Sequence, residues 1–217
     1  TLLMLVCINF SGCISENSNS SMIDLSVTYQ QTNGTIIENY DEGELTSIEN
    51  VELSFDFSKT TSDEQIMSYG ISTNDGSQPI TIDANSKSII SIEFTKHGIY
   101  HLDAYAVDSK NNIENISIFI RIDLRIDWFE SNTNDPKPMP FNPIPDNNGI
   151  HPYMIEVSSM VENPSLIDEF GGGGQTIEFT WKMYDESNDV CLSKSTQIAD
   201  GESDDWYAID FNTYETH

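Results

Sequence analysis

Hydrophobic and polar residues alternate with a period of two over most of the chain. Val51, Leu53, Phe55 and Phe57 are separated by Glu52, Ser54 and Asp56. Tyr100, Leu102, Ala104 and Ala106 alternate with His101, Asp103, Tyr105 and Val107, and Ile116, Ile118, Ile120 and Ile122 with Ser117, Phe119 and Arg121. Farther on, Tyr153, Ile155 and Val157 repeat the pattern, as do Ile177, Phe179, Trp181 and Met183 against Glu178, Thr180 and Lys182. Successive strand side chains point to opposite faces, so each run predicts a strand with one buried face. No segment sustains a 3.6-residue period over ten residues. Asn33-Gly34, Asn74-Asp75-Gly76 and Lys110-Asn111-Asn112 supply turn signals at strand-like spacing. The prediction is an all-β protein built from antiparallel sandwiches.

The beginning of the chain breaks this pattern. Leu2 to Ile8 is an apolar run the length of a signal-peptide core and too short to span a bilayer. Ser11, Gly12 and Cys13 follow, and together these residues resemble the lipobox of prokaryotic lipoproteins, with Phe10 where that pattern usually carries Leu. The resemblance implies that residues 1–12 are a signal peptide and that Cys13 is lipidated. No initiating Met or basic stretch precedes Thr1, so the leader is expected to be given in part. A first β-strand is the competing reading, weakened by Asn9 and by the polar run Ser15–Ser21. That run suits a flexible tether over residues 13–22, because it offers too little apolar surface to order itself.

Residues 23–122 are predicted to form the first sandwich. "FDFSKTTSDEQIMSYGISTNDG" followed by "IEFTKHGIYHLDAYAVDSKNN" resembles a PKD domain, an Ig-like β-sandwich common in cell-surface proteins. Ile66 and Tyr69 match the approach to that family's Trp-x-Phe-Gly-Asp-Gly turn, and Asp75 and Gly76 match its end. Ile71, Thr73 and Asn74 replace the Trp, the Phe and the first Gly. Gly98 and Tyr100 match the Gly-x-Tyr that opens a long strand, and Asp108 the Asp that closes it.

Residues 123–217 are expected to form a second, more divergent Ig-like sandwich, with only a short hinge because Ile122 and Ile126 suit nearly continuous strands. Five of the eight prolines fall within residues 136–145, which excludes a central strand there. The run Gly171–Gly174 leads into a strand rather than a helix and has no lysine placed for a phosphate, so it is a loop. Trp181 in mid-strand is similar to the inward Trp of Ig-like sandwiches, without the flanking cysteine pair. The last residues look like a hairpin cut in mid-course, so this sandwich is expected to be truncated, with further domains downstream.

Charge narrows the partners. The 217 residues include 36 acidic and 9 basic ones, a net charge of −27. A nucleic-acid partner would need phosphate-neutralising Lys and Arg, and an anionic bilayer surface would need a basic patch. Neither fits. The acidity keeps an exposed protein soluble through self-repulsion, which salt would screen. With Cys7 lost and Cys13 modified, Cys191 stands alone, and no disulfide is expected between folded segments.

Catalytic signatures are absent from the sequence. His97, His101, His151 and His217 lack metal-site spacing, no G-x-S-x-G occurs, and carboxylate pairs are too frequent to single one out. Neither a cofactor nor a metal is called for. Calcium is the one exception worth carrying, with Asp185 and Asp189 in "DESND" and Asp200, Asp204 and Asp205 in "DGESDD" as candidate ligands in loops. Asn19, Asn33 and Asn115 occupy N-x-Ser/Thr sequons and are candidate glycosylation sites. The expected function is therefore that of a non-enzymatic, exported lipoprotein at a bacterial or archaeal cell surface. Its tandem Ig-like domains would act as a spacer, adhesion or protein-interaction stalk, its membrane contact being the lipid anchor. The alternative is a polysaccharide- or protein-binding module of a larger extracellular enzyme, with Tyr105, Trp206 and Tyr207 as binding aromatics.

Overall fold

The computed structural model describes residues 23–145, 147, 149–165 and 174–211. Cys13, Asn19, the leader and tether, and Gly171 to Gly173 lie outside these residues. The described chain is all-β, with no helix. It divides into two compact units. The first takes the chain up to Asn33 together with Val51–Phe94 and Tyr100–Ile120, and the second takes Gly34–Asn50, Thr95–Ile99 and everything from Arg121 onward.

In the first unit, β1 (Ile23–Asp24) pairs with β5 (Thr61–Ser62), and β4 (Val51–Asp56) pairs with β8 (Ile89–Phe94), both antiparallel. A second ladder runs from the N-terminal half of β10 (Ile113–Phe129) through β9 (Gly98–Asp108) and β6 (Ile66–Ser72) to β7 (Ile80–Asp83). The alternation noted in the sequence sets the buried faces. Val51, Leu53 and Phe55 of β4 and Ile90, Ile92 and Phe94 of β8 are buried, as are Tyr100, Leu102, Ala104, Ala106, Ile118 and Ile120 of the other ladder. These faces meet: the Phe57 ring stacks on Tyr69 at 4.9 Å, and Phe94 meets Tyr100 edge-on at 4.9 Å. Burial of alternate side chains from two ladders fits a β-sandwich. The unit is held mainly by apolar surface removed from water.

The second unit has two parts. In one, β2 (Asn33–Asp41) and β3 (Glu44–Glu49) form a hairpin, and the C-terminal half of β10 stands beside β2. The hairpin turn is Glu42-Gly43, with both residues at positive φ (52° and 82°), the geometry that matches a twisted two-residue connection. Asn33-Gly34, expected to be a turn, instead opens β2, because neither residue adopts positive φ and both are drawn into the ladder. The other part comprises the pairs β11 (Ile155–Glu162) with β14 (Ser203–Asp210) and β12 (Ile177–Tyr184) with β13 (Val190–Ile198). Among the described residues, Trp181, Met183 and Ile198 are its only buried hydrophobic side chains. Ile122 and Ile126 lie on one uninterrupted strand, β10, and the proline-rich stretch forms no strand.

Candidate functional site

The acidic loops are organised by their backbones. In the β12–β13 hairpin the Asp185 carboxylate accepts the N–H groups of Ser187 at 2.8 Å and Asp189 at 2.9 Å, and the Asn188 N–H reaches the Asp185 carbonyl at 3.1 Å. Asn188 sits at φ 62°. The β9–β10 hairpin repeats this design one residue for one. The Asp108 carboxylate accepts the N–H groups of Lys110 at 2.8 Å and Asn112 at 2.9 Å, and Asn111 sits at φ 64° with its N–H on the Asp108 carbonyl. "DSKNN" and "DESND" are thus one five-residue turn written twice, in which aspartate takes up amides the strands leave over and Asn tolerates the left-handed position. Asp108 also accepts the Asn112 side-chain amide at 2.8 Å and is 1% exposed.

The turn that carries the PKD resemblance is built alike. Asn74 and Gly76 are at positive φ (55° and 90°). The Asp75 carboxylate accepts from the Ser77 and Thr73 hydroxyls and the Ser77 N–H, which together hold it well below the ordinary carboxylate value, at about 2. The Asn74 side chain ties the turn to β9 through the His101 carbonyl and the Asp103 carboxylate, each at 2.9 Å.

The remaining calcium candidates go to different places. Asp204 points to the inner face of β14, where its carboxylate accepts the Lys194 ammonium at 2.9 Å and the Asp205 N–H at 2.8 Å. Hydrogen bonding to Thr196 first, and to Lys194 second, lowers its pKa. Asp205 is exposed on the opposite face, and the Asp200 carboxylate lies against Gly174, where it fills the space a side chain there would need. Among the described residues no three His, Cys, Asp or Glu side chains gather into a group able to hold a metal ion.

Tyr105 is packed rather than free. Its ring lies across Gly70, its cross-strand partner, so closely that a Cβ at 70 would come within 2.1 Å of the ring, and its hydroxyl bonds Thr81 at 2.9 Å. Trp206 and Tyr207 are neighbours on one strand and therefore face opposite ways. Trp206 turns inward, 6.3 Å from Trp181, while Tyr207 is 57% exposed and is hydrogen-bonded to Glu156, which raises its pKa. Asn33 and Asn115 are exposed, Asn33 at the start of β2 and Asn115 on β10. His101 stacks edge-on against Phe119 at 4.4 Å. Cys191 is exposed on β13, and the neighbouring carboxylates of Asp185, Asp210 and Asp189 add to desolvation in raising its pKa.

One cluster was not anticipated. Lys194 lies opposite Trp181 in the β12–β13 register and on the inner face, with its ammonium 5.1 Å from the indole centroid. It continues to the Asp204 carboxylate and the Asp205 carbonyl on β14, while the Trp181 indole N–H donates to Ser159 on β11 at 2.9 Å. Polar links from Lys194 and Trp181 thus join the two strand pairs. The signal was present: Leu192, Lys194, Thr196 and Ile198 share one strand face, which makes Lys194 an inward lysine. No protein-family model and no curated protein matches this chain.

Proposed function

We propose that this chain is an exported, non-enzymatic surface protein, held at a membrane by lipid on Cys13, whose Ig-like domains serve as a spacer and protein-interaction stalk. The observation that carries this reading is the order of segments. An apolar run ends at Ser11-Gly12-Cys13, a Ser/Asn-rich stretch follows, and the first described strand starts at Ile23. The PKD-type reading of the first unit is supported by its ladders. The pair β4-β8 packs against β10-β9-β6, the order that strands B-E and G-F-C take in an Ig sandwich. The matched Asp108, Asp75 and Gly76 all serve turns that such a scaffold needs. A net charge of −27 suits a projection that must stay soluble among its neighbours. One acyl chain anchors a protein only marginally, so a stable tether implies more than one on Cys13. Metabolic labelling with a fatty acid tests the anchor. Label is expected on the wild type and absent from Cys13→Ser, and an unlabelled wild type overturns the proposal.

A further inference from the structure

We infer that the free edge of β4 is a docking site for an extended, basic peptide that adds a strand beside Glu52 and Ser54. Thr28 and Asp56 exchange two main-chain hydrogen bonds, of 2.9 and 2.8 Å, so the even-numbered residues of β4 turn their peptide groups away from β8. Ser54 and Glu52 are next in that row. Beyond Thr28 the chain bends away before β2 begins, and β4 belongs to a two-stranded sheet with β8. Among the described residues, no strand therefore takes up the N–H and C=O groups of Ser54 and Glu52. Between them and the departing segment lies a groove of about 510 Å³, lined by Thr28, Tyr29, Gln30, Gln31, Glu52 and Ser54. A row of donors and acceptors spaced two residues apart is the template an added strand pairs with, and about four residues, about 13 Å of extended chain, fill it.

Charge selects the occupant. Glu52 projects from the outer face directly across from Glu93 and has no ion pair among the described residues. In an antiparallel added strand, the residues opposite Glu52 and Ser54 share that outer face, and a cationic side chain there pairs with the Glu52 carboxylate. The residue between them turns toward the side of Leu53 and is apolar. A second copy of this chain would instead bring another net charge of −27 to the same edge. The pattern is therefore basic-apolar-basic, as in Thr-Lys-Val-Lys-Val-Thr. The inference does not depend on Cys13 or an anchor, and its assay leaves that reading untouched.

The test is fluorescence anisotropy of the full chain with that labelled peptide, with its Glu-for-Lys counterpart, and with the Lys peptide N-methylated at both lysines. The Lys peptide is expected to bind about tenfold or more tightly than either control, and Glu52→Lys to reverse the preference between the Lys and Glu peptides. Slowed amide exchange at Glu52 and Ser54 in the complex would locate the added strand. Absence of binding by the Lys peptide, equal binding of the N-methylated peptide, or a preference unmoved by Glu52→Lys overturns the inference. So does sedimentation as a dimer whose association protects these amides, which would give the edge to a second copy.

Discussion

Gly70 and Tyr105 show how a single position is decided by a neighbour remote in sequence. Gly70 faces outward on β6 and is nevertheless buried, because the Tyr105 ring covers it from β9. Gly70→Ala is expected to cost about 1–3 kcal/mol by forcing the ring aside, and to cost little in a Tyr105→Ala background. Urea unfolding of the four members of this cycle checks it, and additive effects would contradict the packing described. Asp75 gives a second expectation. Its folded value of about 2 lies below the ordinary 3.8, so its contribution to stability is present above about pH 4 and lost as pH falls through 2. Asp75→Asn should therefore show a shallower loss of stability between pH 4 and 2 than the wild type, measured by denaturant unfolding at each pH. The sequence marked Asn74, Asp75 and Gly76 as a turn, since local chemistry suffices there, whereas Asp108 was matched only to the close of a strand and its grip on the Lys110 and Asn112 amides was not read. Neither the lid on Gly70 nor the separation of Trp206 from Tyr207 was drawn from it. The first needs the β6–β9 register, and the second was obscured by grouping two adjacent aromatics that strand geometry sends apart.

At the scale of elements, the strands with strict alternation, β4, β9 and β10, were legible because one buried face imposes period two on the sequence. The β2–β3 hairpin was not, since Glu42-Gly43 is a weaker turn signal than the Asn33-Gly34 upstream of it and the exposed β3 has no apolar face to betray it. The β11–β14 and β12–β13 pairs depend on few buried groups, so Trp181 should dominate them. Trp181→Ala is expected to cost about 3–5 kcal/mol, and Ser159→Ala about 1 kcal/mol through the indole N–H it leaves unpaired. Trp206 fluorescence during urea unfolding would report both changes, and a Trp181→Ala variant as stable as the wild type would contradict this account of the core.

For the molecule as a whole, charge is the dominant feature. The pairs Lys110–Glu64, Arg121–Asp123, Arg125–Asp127 and Lys194–Asp204 all have side chains at least partly exposed, and 9 basic residues stand against 36 acidic ones. Exposed pairs contribute little, and repulsion among like charges is what salt relieves. Raising potassium chloride from 10 to 300 mM is expected to raise the melting temperature by about 2–4 °C, corresponding to about 1 kcal/mol. A fall would mean that attractive networks, not repulsion, set the electrostatics. The same charge, the β scaffold and the Ser11-Gly12-Cys13 junction together support a protein projected from a surface and held at one end. Mass spectrometry of the mature N-terminal peptide from membranes of the native cells tests this most directly. Cys13 as the first residue, carrying acyl-chain mass, is the predicted result; a mature chain that retains residues before Cys13, or an unmodified Cys13, would contradict it.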